Sequence, residues 1–483
     1  MTFYRLRAPS SRIAFQLAAA LGFALSGLHV SAAADSAAKP NLVFLLADQW
    51  RADALGYAGD PNVKTPNLDR LAGESANFVR AVSSCPVCCP FRGSLMTGQR
   101  PLTHGVFLND VPLAAEATTI AEVLVGAGYR TGYIGKWHLD GRGRLSFTPP
   151  ERRQGFQYWK AVECTHDYNN SFYYADAPAR QTWQGYDSIA QTRDAEDFIR
   201  HHAGRGQPFA LFLSWGTPHN PYETAPEKYR AMYKPENIQL RPNVPDQLKI
   251  PARRELAGYY AHCTALDDCV GELWETLKAA GIEENTIVVF TADHGGMLYS
   301  QGQVRKQKPW DESIRVPMLF HWPAGIGREG RRLDAAINSE DLMPTLLGLM
   351  KAPIPEQVEG SDLSGYLRGG DKPADDAALI TCPSPFGEWT RNRGGREYRG
   401  LRTARYTYVR DLNGPWLLYD NQADPYQLKN LCNEPEHAEL QADLDRQLND
   451  KLAKTHDEFL PGAEYIRRRG YQVDANGTVP VRP

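Results

Sequence analysis

Residues 41–48 read NLVFLLAD, a short apolar run that ends in an acid. Such a run is typical of a strand that is buried on both faces of a parallel sheet. Residues 286–295, which read TIVVFTADHG, repeat this design far along the chain. Open α/β sheets bind their ligands at the carboxyl ends of the strands. The two segments therefore predict an α/β fold with a polar site at that edge of the sheet.

The acids at the ends of these two runs predict a metal site. Asp48 is followed by Gln49, and Asp293 is followed by His294. A single Asp after a strand is more often a helix N-cap, but two such pairs favour metal binding. Carboxylate and amide oxygens suit hard cations better than thiophilic metals. We expect one divalent cation between the two strands, with Ca²⁺ as the first candidate and Mg²⁺ as the alternative.

A third motif lies at residues 88–98, which read CCPFRGSLMTG and contain the pattern C-x-P-x-R from Cys88 to Arg92. A pattern this short also fits a cysteine-rich turn with a structural arginine. Three further elements accompany it in the chain. They are Lys136-Trp137-His138, Pro218-His219-Asn220-Pro221, and Lys306 ahead of residues 312–317, ESIRVP.

Together with the two metal pairs, these motifs resemble those of the type I, formylglycine-dependent sulfatases of the alkaline phosphatase superfamily. The resemblance covers most of the chain, and the three later elements match the family's G-K-W-H, P-H-x-P and lysine–E-S-x-R-V-P elements. Two positions depart from the usual pattern. Gln49 stands where many members have a second Asp, and Phe91 replaces a common Ser. Gln still offers a carbonyl oxygen to a metal, and the motif leaves position 91 open.

The resemblance implies that a formylglycine-generating maturation enzyme oxidises Cys88 to formylglycine, also called 3-oxoalanine. In the hydrated aldehyde, one hydroxyl attacks the sulfate ester and the other later expels sulfate as the carbonyl re-forms. Arg92 would hold this gem-diol in place, and His138 would accept its second proton. The implied metal ligands are Asp48, Gln49, Cys88, Asp293 and His294.

The resemblance also implies how the sulfate group is held. Lys136, Lys306 and His219 would contact its oxygens, as groups fixed in place before charge moves in the transition state. Either His219 or Lys306 would protonate the leaving alcohol as a general acid.

The distribution of apolar runs predicts two parts after the N-terminus. Residues 39–377 would form the catalytic α/β domain, an alkaline-phosphatase-like, mostly parallel sheet sandwiched by helices. Residues 378–483 would form a smaller C-terminal antiparallel α+β subdomain, because residues 398–420 alternate around an Asn-Gly pair as a hairpin does. A long helix is expected from about residue 253 to 280, and a capping box is expected at Thr119 and Glu122.

Residues 1–34 have the three parts of a cleaved signal peptide. Three arginines precede an apolar stretch at residues 13–28, and residues 31–34 are small. We therefore expect a periplasmic or secreted protein with no membrane anchor. The formal net charge of −3 argues against nucleic acid as a partner. Eight cysteines leave at least one unpaired if Cys88 is converted, and their pairing cannot be read from the spacing.

The expected substrate is a sulfated carbohydrate, either a polysaccharide or an oligosaccharide. Residues 164–174 carry clustered His, Asp, Asn and Tyr side chains that suit sugar hydroxyls, although an ordinary polar loop has the same composition. The candidate substrate contacts are His104, His166, Asp167, Tyr168 and Trp310. Two alternatives remain open. One is a phosphate or phosphonate ester hydrolase of the same superfamily, and the other is a glycan-binding homologue whose cysteine is never converted.

Overall fold

The two apolar runs form neighbouring parallel strands at the centre of the main sheet. We describe the protein from a computed structural model, which covers Met1 and residues 38–480. Apart from Met1, the predicted signal peptide therefore lies outside the described residues. The strands are β1 (Asn41–Asp48), β2 (Ala76–Val82), β3 (Arg130–Lys136), β4 (Tyr158–Val162), β5 (Phe172–Tyr173), β6 (Gln181–Thr182), β7 (Phe209–Pro218), β8 (Thr286–Ala292), β9 (Met318–His321), β10 (Arg331–Asn338), β11 (Ala378–Cys382), β12 (Tyr398–Arg402), β13 (Tyr406–Asp411) and β14 (Gly414–Asp420).

The main sheet has the strand order β10-β2-β9-β8-β1-β7-β3-β4. Every neighbouring pair is parallel except the two pairs that involve β9. All residues of β7 and β8 are buried, as both-face coverage by helices requires. The prediction of a mostly parallel sheet is therefore confirmed.

Helices cover both faces of this sheet. In chain order they are α1 (Pro66–Gly73), α2 (Cys88–Thr97), α3 (Pro101–His104), α4 (Ile120–Gly126), α5 (Asp187–His202), α6 (Glu227–Arg230), α7 (Lys249–Ala279), α8 (Asp311–Ile314), α9 (Pro323–Ile326), α10 (Leu342–Leu349), α11 (Ser364–Leu367), α12 (Ala438–Lys454) and α13 (Gly462–Arg469). The expected long helix is α7, which begins four residues earlier than predicted. The capping box of Thr119 and Glu122 is present at the start of α4. Among the described residues, we find no helix with the length and apolarity needed to cross a membrane.

The second sheet is antiparallel, in the order β11-β12-β13-β14. Leu444, Leu448 and Leu452 of α12 pack against one side of it, which gives the expected small α+β arrangement. The described residues from Lys39 onward form one compact unit. The division into 39–377 and 378–483 stays a prediction, although the second sheet does begin at Ala378.

The parallel strands bring the sequence motifs to one edge of the sheet. β1 ends at Asp48 and β3 ends at Lys136, whereas β7 ends one residue before His219 and β8 ends one residue before Asp293. Because these four strands run parallel as neighbours, their carboxyl ends lie side by side. The fold thus positions four chemically active side chains that are far apart in sequence.

Candidate active site

Cys88 is the first residue of α2, and the whole of that helix is buried. The helix N-terminus carries a partial positive charge that favours an anion beside Cys88. Arg92 lies one turn further along, and its side chain bonds to both acids of the predicted metal pairs. Its Nη2 lies 3.2 Å from Asp48 Oδ2 and 3.3 Å from Asp293 Oδ2. The C-x-P-x-R spacing therefore places a fixed cation behind the cysteine.

Four of the predicted metal ligands meet in one buried cluster. One ligand atom each from Asp48, Cys88, Asp293 and His294 lies within 4.8 Å of the others. The Cys88 Sγ lies 3.3 Å from His294 Nε2 and 3.7 Å from Asp48 Oδ1. In addition, His294 Nε2 lies 3.4 Å from Asp293 Oδ1. Two carboxylates and one imidazole, with the oxygen that conversion of Cys88 would supply, have the chemistry of a divalent cation site.

Gln49 adds to this cluster a side-chain amide whose oxygen accepts no hydrogen bond within the described residues. Its backbone has a φ of 66°, an uncommon conformation for a residue other than glycine. Its Nε2 donates to the Tyr222 hydroxyl at 2.9 Å, so the amide orientation is set. Its Oε1 is buried and has no hydrogen-bond partner among the described residues. A buried amide oxygen without a partner is costly, and a cation would satisfy it.

The acids of the cluster differ in charge state. Burial opposes ionisation of Asp48, but the ammonium group of Lys136, at 2.6 Å, holds its pKa well below the usual range. Burial and the neighbouring charge of Asp48 raise the pKa of Asp293 to about 7. A cation bound between the two carboxylates would favour the ionised form of both.

Two lysines and a histidine face Cys88 from the other side. Lys306 Nζ lies 3.1 Å from Cys88 Sγ, and Lys136 Nζ lies 3.5 Å from the same atom. Lys306 Nζ also lies 3.0 Å from His219 Nε2. Burial and the charge of Lys306 hold the pKa of His219 well below its ordinary value. The arrangement therefore offers two ammonium groups and a neutral imidazole to an anion placed on Cys88.

His138 is held by an acid that the sequence analysis did not single out. Its Nε2 lies 3.0 Å from Asp110 Oδ1, and Arg144 binds the same carboxylate through two bonds of 2.9 and 2.7 Å. Burial opposes ionisation of Asp110, but Arg144 and His138 hold its pKa below the usual range. Asp110 is therefore an ionised partner that fixes the orientation of the His138 ring.

These groups open into a cavity of about 160 Å³. Its lining combines predicted residues with others contributed by the C-terminal part of the chain. The lining residues are Cys88, Asn109, Asp110, Lys136, His138, Arg144, Cys164, His166, His219, Lys306, Gln307, Phe386, Gly387, Glu388 and Thr478.

The residue 164–174 loop reaches this cavity mainly through His166. The His166 ring stacks on His219 with 4.5 Å between the ring centroids and 5° between the planes. Asp167 is exposed and bonds to Asn170 within the loop. Tyr168 is completely buried, and its hydroxyl donates to backbone carbonyls that include Gly216 O at 2.9 Å. Tyr168 therefore has no surface to offer a sugar, contrary to our expectation.

His104 and Trp310 also lie away from the cavity. Both ring nitrogens of His104 are engaged inside the protein, by the Ser94 hydroxyl at 3.2 Å and by the Val106 N–H at 3.1 Å. Trp310 packs on Trp416 and donates to the Tyr419 hydroxyl, beside the second sheet. Packing between elements, rather than substrate contact, accounts for both side chains.

Sequence reasoning missed Asp110, Arg144, Cys164 and Glu388. Nothing in their local sequence marks them, because each reaches the cavity from a loop whose path depends on the tertiary fold. Cys164 is one of the eight cysteines whose pairing the spacing does not show. Burial opposes its ionisation, but the charges of Lys136 and His138 lower its pKa to about 5. All eight cysteines lie within the described residues and are free in the structure.

Comparisons with known proteins identify the family. Residues 40–352 match the sulfatase family model, and residues 301–454 match the model described as N-sulphoglucosamine sulphohydrolase, C-terminal. The chain is 47% identical over 445 residues to the ulvan-active sulfatase of Formosa agariphila. The matched region covers 92% of this chain and 86% of that protein. It is 29% identical to the endo-4-O-sulfatase of Bacteroides thetaiotaomicron, over 88% of this chain and 94% of that one.

A solved structure from Bacteroides fragilis, assigned to the sulfatase yidJ, has the same fold. It superimposes with a TM-score of 0.79 at 35% identity, over 89% of this chain and 98% of the other. The similarity thus extends from the first strand of the main sheet into the C-terminal part. The chain belongs to the sulfatase family of the alkaline phosphatase superfamily and is a sulfuric ester hydrolase.

Proposed function

We propose that this sulfatase removes sulfate from a sulfated carbohydrate, with Cys88 converted to formylglycine as its nucleophile. The observation that carries the proposal is the position of the two lysines around Cys88. The Cys88 Sγ stands where a gem-diol oxygen would be, and two ammonium groups lie 3.1 and 3.5 Å from it. Preorganised donors at such distances stabilise charge on a sulfate oxygen without further rearrangement.

The residues present also fit a divalent cation. Asp48, Asp293, His294 and the matured Cys88 would hold it, together with the partnerless Gln49 Oε1. The hard oxygen donors favour Ca²⁺ over Mg²⁺, because Ca²⁺ accepts more ligands and a less regular geometry. When bound, the ion would supply positive charge that favours ionisation of the nucleophile and neutralises sulfate.

In the first half of the reaction, one geminal oxygen of the hydrated Cys88 aldehyde would attack the sulfur. The bond from sulfur to the ester oxygen breaks, and the leaving alcohol takes a proton from His219 or Lys306. Both groups line the cavity, and they lie 3.0 Å from one another. His219 has a lowered pKa and Lys306 a raised one, so the proton rests on Lys306 before substrate binds.

In the second half, His138 in its neutral form would take the proton of the remaining geminal hydroxyl. Burial opposes the charged imidazole, but Cys89, Cys164 and Asp110 raise the pKa of His138 well above the ordinary value, so it would hold this proton firmly. The carbonyl re-forms, the bond from carbon to the sulfated oxygen breaks, and sulfate leaves. Water then adds to the aldehyde and restores the gem-diol. The Asp110 carboxylate, 3.0 Å from His138 Nε2, would stabilise the imidazolium that forms.

The similarity to the ulvan-active sulfatase of Formosa agariphila, at 47% identity, supports a polysaccharide or oligosaccharide as the substrate. We further propose that a maturation enzyme converts Cys88 and that residues 1–34 direct export to the periplasm or medium. A polymer too large to enter the cell requires an exported enzyme, which agrees with this leader.

The test is sulfate release from a panel of defined sulfated oligosaccharides, including fragments of ulvan, by the enzyme coexpressed with a formylglycine-generating enzyme. We expect release from at least one member, and none from the Cys88→Ala variant. Phosphate esters of the same alcohols form the second arm. A higher kcat/KM on the phosphate than on the sulfate ester would replace our proposal with the phosphate hydrolase alternative. An unconverted but glycan-binding protein would show binding without release.

A further inference from the structure

A second cavity of about 580 Å³ lies beside the catalytic cavity. We call it the tyrosine groove and define it by Tyr222, Tyr233, Arg254, Tyr299 and Arg305, which line it. The catalytic cavity, at about 160 Å³, is smaller than the ~300–1,000 Å³ that drug-sized ligands occupy. It has room for a sulfate group and part of one sugar. Any neighbouring sugar units must therefore lie outside it.

The tyrosine groove adjoins the catalytic cavity at two chain segments, where consecutive residues line the one and the other. His219 lines the catalytic cavity and the next residue, Asn220, lines the groove. Likewise Arg305 lines the groove and Lys306 lines the cavity. The Arg305 Nε also lies 3.5 Å from Oε1 of Glu388, a residue of the cavity wall. A chain held at its sulfated unit could thus extend past Arg305 into the groove.

Three tyrosine rings give the groove rigid walls. The Tyr222 hydroxyl is fixed by Gln49 and the Tyr299 hydroxyl by Glu255. The Tyr233 hydroxyl accepts from the Lys64 N–H at 2.9 Å. Gly258 of α7 lets the helix approach, since a Cβ there would lie 2.4 Å from Tyr222 O. Tyr222 and Tyr233 are largely buried, so Tyr299 offers most of the aromatic surface that the face of a sugar ring could contact.

The charges of the groove favour an anionic ligand. Arg254 is exposed and has no ion-pair or hydrogen-bond partner among the described residues. Arg305 shares two acids, with its Nη1 3.5 Å from Glu255 Oε2 and its Nε 3.5 Å from Glu388 Oε1. Neither contact has the short, two-bond geometry that satisfies a guanidinium group. Arg254 is therefore available to a carboxylate or sulfate from outside the protein, and Arg305 could add a donor beyond its contacts with Glu255 and Glu388.

We infer that the tyrosine groove binds the sugar unit next to the one that loses sulfate, and that Arg254 and Arg305 recognise an anionic substituent on it. The inference rests on the proposed function, because it needs a glycan in the catalytic cavity. It assigns the enzyme a preference for polyanionic chains over singly charged esters. A carboxylate and a second sulfate each offer two anionic oxygens to a guanidinium group, so an experiment must distinguish the two substituents.

The experiment measures kcat/KM on three oligosaccharides that share one sulfated unit and on a small aryl sulfate. In the oligosaccharides the neighbouring unit is a uronate, the carboxyl-reduced form of that uronate, or a second sulfated sugar. Arg254→Ala should lower kcat/KM about ten-fold or more on an anionic neighbour, mainly through KM. The loss should be at least five-fold larger there than on the aryl sulfate. The arm that loses more, uronate or second sulfate, identifies the group that is recognised.

Matched variants complete the design. Lys278→Ala removes one positive charge from the exposed far end of the same helix and should change none of the four values. Arg254→Lys keeps the charge without the forked donors and should fall between wild type and Arg254→Ala. Equal losses on all four substrates, or no loss with Arg254→Ala and Arg305→Gln, would overturn the groove while leaving the sulfatase proposal intact. A wild-type enzyme active on aryl sulfate but on no oligosaccharide would overturn both.

Discussion

At the scale of single residues, the site depends on side chains that hold other side chains. His138 is an example, because its ring is fixed by Asp110, which is fixed in turn by Arg144. Asp110 touches none of the reacting atoms in our mechanism and acts by positioning. Tyr168 also acts by positioning. Its buried hydroxyl lies within hydrogen-bond distance of three backbone carbonyls near His219.

We predict that Asp110→Asn lowers kcat by ~10–10²-fold with little change in KM. The amide keeps the shape but loses the charge that stabilises the protonated His138, and general base catalysis contributes ~10²–10⁴-fold in all. Steady-state kinetics on one substrate separate the two parameters. Asp176→Asn makes the same substitution at an exposed side chain and is the control. A rise in KM at constant kcat would mean that Asp110 contacts substrate instead.

His166 should behave differently from our first expectation. As a candidate sugar contact, His166 would be needed for an oligosaccharide and not for a small aryl sulfate. In the structure His166 stacks on His219 at 4.5 Å between centroids. We therefore predict that His166→Ala lowers kcat on both an aryl sulfate and an oligosaccharide, by a similar factor. Selective loss on the oligosaccharide would restore the earlier interpretation.

At the scale of elements, the site exists because parallel strands end together. β1 and β8 pair from Asn41 to Ala47, so Asp48 and Asp293 leave the sheet at the same level. α2 then points its N-terminus, with Cys88, at the gap between them. These alignments bring the carboxylates of Asp48 and Asp293, the Cys88 thiol and the His294 imidazole into one buried cluster that could hold a cation.

The metal prediction belongs to this scale. Asp293→Ala should release the cation and abolish turnover, because it removes a ligand and the charge that offsets the ion. The Gln49→Asp variant should bind the metal at least as tightly as the wild type. The Asp side chain is one methylene shorter than Gln but adds a negative charge. Elemental analysis after dialysis, with activity measured on the same samples, provides the check. A fully active sample free of divalent ions after chelation would contradict the site.

At the scale of the whole molecule, the second sheet is attached to the first part of the chain by buried ion pairs. Asp311 at the start of α8 accepts two bonds, of 2.9 and 3.0 Å, from Arg402 in β12. Its neighbour in the chain, Trp310, packs against Trp416 of β14. This attachment keeps Glu388 and Gln307 at the wall of the cavity.

We predict that Asp311→Ala lowers the free energy of unfolding by ~3–5 kcal/mol, because it leaves the Arg402 guanidinium buried without its partner. Denaturant unfolding followed by tryptophan fluorescence measures this change. Asp371→Ala, in the exposed segment before β11, should leave stability within ~0.5 kcal/mol. A stability equal to wild type for Asp311→Ala would show that the two sheets are held by apolar packing alone.

Much of this molecule could be predicted from its sequence. Short apolar runs such as residues 41–48 predicted the buried strands, because such runs are long enough for one strand and too short for a helix. The motif residues that follow those runs were brought together as expected. The loops were harder. His104 and Trp310 have polar or aromatic side chains that suit a binding site, but in the fold both pack against other elements of the protein. The residues around Asp110 and Glu388 in the sequence do not indicate a functional site.

The most direct test of the account is the mass of the tryptic peptide that spans Cys88, taken from enzyme of measured activity. We predict that Cys88, and neither Cys85 nor Cys89, has lost about 18 Da by conversion of its thiol to an aldehyde. The converted fraction should rise in proportion to specific activity as the maturation enzyme is titrated in coexpression. Fully active protein whose Cys88 still reacts as a thiol, or whose mass loss lies on Cys89, would contradict the account.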